Sequence, residues 1–200
     1  EDVDKMIQYL KDNDYIDKET KQVLVKGIIA SEISECNEIL LTEIITNDFF
    51  MELEPAEIVA VLSVFIEEKS NDITCIKQLD VSQNIKDILE NINFISKDFA
   101  DYEYNSYLEI GTDWNIYLSF LEPAYEWAQG KSILDIYTKF GQIYEGTFIR
   151  NILRIKNIID NLKNIAEMVG KSDILKKLEN LDEILIRDQV TTESLYIMKS

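Results

Sequence analysis

The 200-residue sequence has no histidine, six glycines, two prolines and two cysteines. The absence of histidine removes the most common general base and metal ligand, and it excludes Ser–His and Cys–His nucleophilic catalysis. So few glycines and prolines argue against a turn-rich β protein and favour long helices. Cys36 and Cys75 form no CxxC pair, which is typical of reduced thiols. We therefore expect an intracellular protein, nuclear or cytoplasmic.

Long apolar runs and an excess of positive charge are also missing. No apolar run approaches the ~18 residues that a membrane span requires, so no membrane partner is expected. The net charge of −18 disfavours non-specific binding of phosphate backbones across the whole surface. Any contact with a nucleic acid must therefore be local. The chain begins at Glu1 rather than Met, so we expect a segment of a longer protein.

A long helical pattern over residues 144–169 is the most informative stretch. Its apolar residues alternate at spacings of four and three, so they form one stripe on a helix of roughly seven turns. A second row has the same spacing, lies on another face and contains only arginine and asparagine. The apolar stripe consists of Phe148, Ile152, Ile155, Ile159, Leu162, Ala166 and Val169. The second row, which we call the polar row, consists of Arg150, Arg154, Asn157, Asn161 and Asn164.

The polar row has two interpretations. Residues 144–169 carry four basic and three acidic side chains, a net charge of +1 in a chain of −18. A solvated helix face is the simpler interpretation. Such faces usually contain more Glu and Lys than Asn, because Asn is a poor helix former. Three asparagines in line therefore favour a face that contacts another molecule.

The rest of the sequence predicts an all-α multi-helix bundle. Residues 22–27 have the pattern of a short extended piece ending at a glycine turn. The start of the chain is therefore either a small winged-helix-like remnant or a helix–loop–helix. Pro55 opens a helix that is apolar on nearly every side, which predicts a buried central helix. The other helical patterns cover residues 3–13, 28–33, 39–45, 79–107, 118–130, 132–141 and 172–195, the last as one closing antiparallel helix.

Polar residues between the fourth and fifth helical patterns mark the best internal boundary. We predict an N-terminal helical part over residues 1–69, a polar loop over 70–80, and a helical bundle over 81–200 that contains the long helix.

Gly130-Lys131-Ser132 imitates the end of a phosphate-binding loop. The full motif needs a glycine five residues earlier, but Tyr125 stands there. A glycine helix stop followed by a capping serine explains the same three residues.

A cluster of aromatic residues in the middle of the chain is interpreted as interhelix packing rather than base stacking, because no basic residue lies among them. It comprises Tyr102, Tyr104, Tyr107, Trp114, Tyr117 and Phe120.

Seven short strings, in order, resemble one family. They are Lys26-Gly27-x-x-Ala30-x-Glu32-Ile33, Leu40-Leu41-Thr42-Glu43-Ile44, Leu53-x-Pro55-x-Glu57-Ile58-Val59-Ala60-x-Leu62-Ser63-x-Phe65, Tyr125-Glu126-Trp127-Ala128-x-Gly130, Tyr144-Glu145-Gly146-Thr147-x-Ile149-Arg150, Arg187-Asp188-x-Val190 and Ser194-Leu195-Tyr196. Together they are similar to the C-terminal helical (DSHCT) domain of superkiller-type DExH RNA helicases, which include the exosome-associated helicase.

The resemblance implies a helical bundle packed on two motor domains, with one long ratchet helix that contacts the single strand. This helix corresponds to residues 144–169, and Arg150 and Arg154 match the family's basic positions. Asn157 stands where relatives tend to have an acid. We expect Arg150, Arg154, Asn157 and Asn161 to bind RNA, weakly when the domain is isolated. No cofactor is expected in this segment, because ATP and Mg belong to the parent's motor domains.

Three functions are therefore considered. The first is an RNA-guiding domain of an ATP-dependent DExH helicase in RNA unwinding, processing or exosome-linked decay, non-catalytic by itself. The second is an acidic helical domain that docks an exosome or adaptor protein. The third, a stand-alone enzyme, requires a metal or nucleotide site, and no catalytic motif is present in the sequence.

Overall fold

The computed structural model describes residues 1–67, 75–141 and 145–187. Within these ranges the only β pairing is one antiparallel bridge between Ile16 and Val23, so the predicted all-α class is confirmed. The helices are α1 (Asp2–Asp12), α2 (Val25–Ser31), α3 (Glu38–Thr46), α4 (Pro55–Leu62), α5 (Gln83–Asn105), α6 (Leu121–Ala128), α7 (Ile133–Phe140), α8 (Glu145–Val169), α9 (Ser172–Glu179) and α10 (Leu181–Leu185). Single 3₁₀ turns cover Ser63–Phe65 and Ile76–Gln78.

Helix α4 lies at the centre of the core. Pro55 occupies its first turn, and Glu54 and Glu57 form a capping box in which the Glu54 N–H donates to Glu57 Oε1 (3.0 Å). All five residues from Ile58 to Leu62 are fully buried. The helix packs against α5, α6 and α8. The prediction of a buried central helix is therefore confirmed.

Helix α8 is the longest helix described, with 25 residues. Six residues of its predicted apolar stripe are buried, and Val169 is partly buried, so the stripe is confirmed. Ile149, Ile158 and Ile165 are buried as well, which makes the buried face wider than predicted. Phe148 contacts Trp127 of α6 edge to face, with ring centroids 5.3 Å apart. Each such buried side chain stabilises the fold by about 1.5–3 kcal/mol, so this face fixes α8 against the core.

Of the two alternatives for the start of the chain, a winged-helix-like remnant and a helix–loop–helix, the structure shows the helix–loop–helix, in which α1 and α2 are joined by a loop that contains the Ile16–Val23 bridge. Leu24 is extended, but α2 begins at Val25, so the extended piece predicted over residues 22–27 is wrong from Val25 onward. Gly27 lies inside α2 instead of ending a strand. A Cβ atom at Gly27 would lie 2.5 Å from the carbonyl oxygen of Tyr15, so the missing side chain permits close packing rather than a turn.

The predicted helix over 79–107 is shorter than its pattern. It begins at Gln83 because Ser82 caps it, accepting a hydrogen bond from the Ile85 N–H (3.3 Å). It ends at Asn105, and Tyr107 follows in a left-handed conformation (φ 55°) before Gly111 is reached. Likewise α6 begins at Leu121 and not at Leu118.

The predicted closing helix over 172–195 is wrong as a single element. Asn180 both ends α9 and precedes α10, and its side chain forms no capping hydrogen bond at the start of α10. The change of direction lets α9 pack on α8 while α10 packs on both α6 and α8. The part of the prediction beyond residue 187 lies outside the described residues.

Buried residues on both sides of the predicted 70–80 loop belong to one hydrophobic cluster, which extends from Ile29 in α2 to Leu185 in α10. Residues 68–74 lie outside the described ranges, and Ile76–Gln78 form a 3₁₀ turn. The division into residues 1–69, 70–80 and 81–200 stays a prediction.

Candidate nucleic-acid interface

Helix α8 places the polar row opposite its apolar stripe, as the spacing predicts. Arg150, Asn157 and Asn164 are exposed to solvent. Arg154 and Asn161 are half-buried, because they border the buried Ile158 and Ile165. The row therefore has an open side and a side that faces a neighbouring segment of the chain.

The two arginines of α8 differ from its two lysines. Lys156 pairs with Asp160 one turn away (2.7 Å), and Lys163 pairs with Asp182 of α10. Arg150 and Arg154 form no hydrogen bond or ion pair with the described residues. Their guanidinium groups, one helical turn apart, are therefore available for an external anion.

Asn161 already has an intramolecular role. Its Oδ1 accepts a hydrogen bond from the backbone N–H of Ser34 (3.2 Å), in the segment between α2 and α3. This contact holds the α2–α3 connection against α8. The amide group of Asn161 keeps its two N–H donors for other contacts.

An open cleft of about 290 Å³ lies beside Arg154. Its walls come from four separate parts of the chain: the start of α3, the end of the turn after α4, the segment before α6, and α8. We call it the Arg154 cleft, and its lining residues are Cys36, Asn37, Glu38, Phe65, Thr112, Asp113, Asn115, Tyr117 and Arg154.

Hydrogen bonds fix the segment 112–117 that forms one wall of the Arg154 cleft. The Asn37 side-chain amide donates to the carbonyl of Asp113 (3.0 Å), and the Tyr117 N–H donates to the carbonyl of Val64 (2.9 Å). Between them, the Ser96 hydroxyl donates to the carbonyl of Trp114. The wall is therefore formed before any ligand is present.

The same wall has a defined charge. Partial burial opposes ionisation of Asp113, but hydrogen bonds from the Tyr117 hydroxyl (2.7 Å) and from Asn115 lower the pKa of its carboxyl group. The hydrogen bond to Asp113 in turn raises the pKa of Tyr117 to about 12. Asp113 is thus ionised near neutral pH, and these hydrogen bonds occupy both of its oxygens.

Cys36 lines the opposite wall as a neutral thiol. Burial, assisted by the charges of Glu38 and Glu35, raises the pKa of Cys36 to about 12, while Arg154 acts in the opposite direction. Cys36 therefore adds a small, uncharged surface to the cleft.

The central aromatic residues divide into packed and exposed groups. Trp114 stacks on Phe99 (ring centroids 5.2 Å apart, planes at 10°), and Phe120 is buried against Phe148. Trp114 and Phe120 therefore agree with the interpretation that the aromatic cluster serves interhelix packing. Tyr104 and Tyr107 instead are exposed.

The Gly130-Lys131-Ser132 string ends α6 and begins α7. Gly130 has a positive φ (91°), and the Ser132 hydroxyl accepts a hydrogen bond from the Asp135 N–H (3.1 Å). The helix-stop interpretation explains these three residues.

In the part of the chain that the structure describes, no group of three or more Cys, Asp or Glu side chains is placed so that it could hold a metal ion. The expectation that the segment carries no cofactor stays a prediction.

None of the described helices has both the length and the apolar character that crossing a membrane requires.

Comparison with known proteins identifies the class to which this helical bundle belongs. The family model described as the DSHCT (NUC185) domain matches residues 20–192, so the chain belongs to this family. The resemblance of the seven strings is thereby confirmed.

The relatives are RNA helicases much longer than this chain. The antiviral helicase SKI2 of Saccharomyces cerevisiae is 30% identical over 98% of this chain and 15% of the relative. The ATP-dependent RNA helicase mtr4 of Schizosaccharomyces pombe is 28% identical, over 86% of this chain and 15% of the relative. The exosome RNA helicase MTR4 of Homo sapiens is 28% identical, over 86% of this chain and 16% of the relative. The chain thus spans about 15% of the length of these relatives.

Sequence reasoning found the long helix and its two arginines but missed the cleft. The lining residues come from positions 36–38, 65, 112–117 and 154, which no local motif connects. The predicted RNA-binding roles of Arg150, Arg154, Asn157 and Asn161 stay predictions.

Proposed function

We propose that this chain is the C-terminal helical domain of an ATP-dependent DExH RNA helicase, and that the polar row guides single-stranded RNA. The observation that carries the proposal is the pair of arginines on α8. They have no carboxylate partner among the described residues, whereas the lysines of the same helix do. In a chain of −18, an arginine left without an acidic partner is well suited to a ligand that brings its own negative charge.

The polar row suits a strand of any sequence. A guanidinium group binds phosphate oxygens through a planar fork, and two of them one turn apart contact successive nucleotides. The exposed amides of Asn157 and Asn164 add hydrogen bonds that do not select a base. ATP hydrolysis and Mg²⁺ belong to motor domains outside this chain. Movement of the strand along α8 follows from their action.

The proposal places the opposite wall of the RNA channel in those motor domains. Two arginines do not outweigh a net charge of −18, so the isolated chain binds RNA weakly. The partners of this chain are accordingly its own motor domains and single-stranded RNA. An intracellular location, and an exosome-type partner, follow from the same proposal.

The test replaces the two arginines in the full-length protein that carries this chain. Arg150→Ala with Arg154→Ala removes two cations from α8. As a control, Lys18→Ala removes one exposed cation that is far from α8 in the sequence. If each arginine contacts one phosphate, the salt dependence of single-strand binding changes by about 1.4 in log–log slope, since each contact contributes ~0.7. Unwinding should fall in parallel.

The measurements are fluorescence anisotropy of a labelled RNA at several salt concentrations and strand displacement with ATP. A double variant that binds and unwinds RNA as the Lys18→Ala protein does, with the same salt slope, would refute the RNA-guiding role.

A second candidate function rests on the exposed face of α5. Phe94 and Tyr104 are 71% and 83% exposed. The positions four and seven residues before and after Phe94 are acidic, and Lys97 is the one cation within that stretch. Arginine side chains bind both acidic and aromatic groups, so this face fits a basic segment of an exosome or adaptor protein. The acidic positions are Asp87, Glu90, Asp98 and Asp101.

This second function has its own test. Phe94→Ala combined with Tyr104→Ala should weaken binding of an arginine-rich peptide, measured by calorimetry, without changing RNA unwinding. Unchanged peptide affinity would exclude this face as the docking surface.

A further inference from the structure

We propose that the Arg154 cleft holds one base of the bound strand and prefers a base with an exocyclic amine. This inference rests on the proposed RNA-guiding function and adds to it a base subsite beside the phosphate contacts. Its substrate class is a nucleotide whose base carries an exocyclic amine at the Watson–Crick edge, as cytosine does and uracil does not.

The size and position of the cleft suit a single base. Its volume of about 290 Å³ is roughly ten times the ~30 Å³ that one water molecule occupies in the liquid, and the cleft opens to solvent. Arg154 belongs both to the polar row and to the cleft wall. A strand that follows the polar row therefore passes the mouth of the cleft.

Two aromatic rings provide apolar surface inside it. Phe65 and Tyr117 both line the cleft and are both only half-buried, so part of each ring is accessible. Bases stack on such rings whatever their sequence, with a gain of about 1–3 kcal/mol per base. The hydrogen bond from Tyr117 to Asp113 fixes one ring in place, which lowers the entropy lost on binding.

The polar groups of the cleft decide which base is preferred. Asp113 is already bonded to Tyr117 and Asn115, and both polar atoms of the Asn37 side chain are bonded to backbone groups. The Glu38 carboxylate forms no hydrogen bond or ion pair with the described residues. It remains as a charged acceptor, and Glu38 lines the same cleft as Arg154.

A free carboxylate selects for an amine. Carboxylates accept a hydrogen bond from the N4 amine of cytosine, whereas uracil presents a carbonyl oxygen at the same ring position. That oxygen would face the negative charge of Glu38 without a proton between them. Arg154 meanwhile remains free for the phosphate that links the base to the strand.

The experiment titrates the ¹⁵N-labelled 200-residue chain with CMP and with UMP at low ionic strength and follows backbone amide shifts by NMR. We expect shifts in residues 36–38 and 112–117 for both nucleotides, and roughly tenfold tighter binding of CMP, as one hydrogen bond to a charged group provides. Glu38→Gln should bring the CMP-to-UMP ratio close to one. Glu52→Gln, which makes the same change at an exposed site outside the cleft, should leave the ratio unchanged.

The outcomes separate this inference from the proposed function. The absence of shifts at the cleft, or equal binding of CMP and UMP by the unmodified chain, overturns the base subsite even if the arginine variants lose RNA unwinding. A CMP preference that Glu38→Gln leaves intact also overturns it. A CMP preference abolished by Glu38→Gln supports the subsite even if Arg150→Ala leaves RNA binding unchanged, a result that would count only against strand guiding.

Discussion

Asn161 of α8 accepts a hydrogen bond from the backbone N–H of Ser34, with 3.2 Å between oxygen and nitrogen. This single contact connects the polar row to the segment between α2 and α3. Cys36, Asn37 and Glu38 follow directly, so the contact also positions one wall of the Arg154 cleft. A residue predicted from spacing to contact RNA therefore also holds the chain in place beside the expected path of the strand.

Asn161→Ala should lower the free energy of unfolding relative to Asn157→Ala by about 1 kcal/mol, the usual net contribution of one hydrogen bond. Asn157 is exposed, and both variants gain the same helix propensity, so their difference isolates the contact with Ser34. Urea unfolding followed by circular dichroism measures it. Equal stability of the two variants would show that the hydrogen bond contributes nothing.

The glycines of α2 and α8 should respond to alanine in opposite directions. Gly27→Ala places a Cβ atom 2.5 Å from the Tyr15 carbonyl oxygen and 2.6 Å from a Val23 methyl, so we expect a loss of about 1–3 kcal/mol. Nothing lies within 4 Å of a Cβ at Gly146, and alanine there should stabilise α8 by up to ~1 kcal/mol. Thermal unfolding of both variants gives the comparison. A stable Gly27→Ala protein would contradict the close packing of α2 on Tyr15.

Arg187 fastens the end of α10 to α6. Its guanidinium group lies 3.4 Å from the centre of the Trp127 ring, and its Nη1 donates to the carbonyl of Trp127 (2.7 Å). Lysine has no planar fork and cannot keep both contacts, so Arg187→Lys should destabilise the fold by about 1–3 kcal/mol. Arg150→Lys, at an exposed position, should change stability by less than ~0.5 kcal/mol. Calorimetric unfolding measures the stability of both variants. Equally small losses of stability would show that the contacts of Arg187 with Trp127 contribute little to the fold.

Cys36 should make stability fall at high pH. Burial raises the pKa of its thiol from an ordinary value of 9.0 to about 12, so the folded chain keeps a proton that the unfolded chain loses. This contribution is complete below pH ~9 and is lost progressively as pH rises from 9 toward 12. Cys36→Ala should flatten that part of the pH–stability profile.

The same property predicts selective alkylation. Near pH 8, iodoacetamide should modify the exposed Cys75 and leave Cys36 largely unmodified until the chain unfolds. Peptide mass spectrometry measures both sites. Equal modification rates for the two thiols in the folded chain would contradict the partial burial of Cys36 and the raised pKa of its thiol.

The elements that sequence predicted well are those in which local pattern and burial agree. The alternating spacing of α8 specifies its length and its buried face, and Pro55 with its flanking acids specifies the start of α4. The errors lie where contacts between residues far apart in the sequence determine the local structure. Gly27 suggested a turn, but the approach of Tyr15 explains it, and the pattern over 172–195 did not reveal the break at Asn180.

The candidate site divides in the same way. Arg150 and Arg154 were found because helical periodicity places them on one face of a single element. The cleft was not found, because its walls are brought together only by contacts such as those of Asn37 with Asp113 and Tyr117 with Val64.

The sequence by itself determined the helical class, the family and the presence of a basic, amide-rich face in an acidic chain, because composition and periodicity are local properties. Tertiary structure alone decided which of those side chains are free. It paired Lys156 and Lys163 with acids, engaged Asn161, and left Arg150 and Arg154 without a carboxylate among the described residues. The physical reason is that ion pairing and burial depend on residues far apart in the chain, and only the packing of the helices sets their distances.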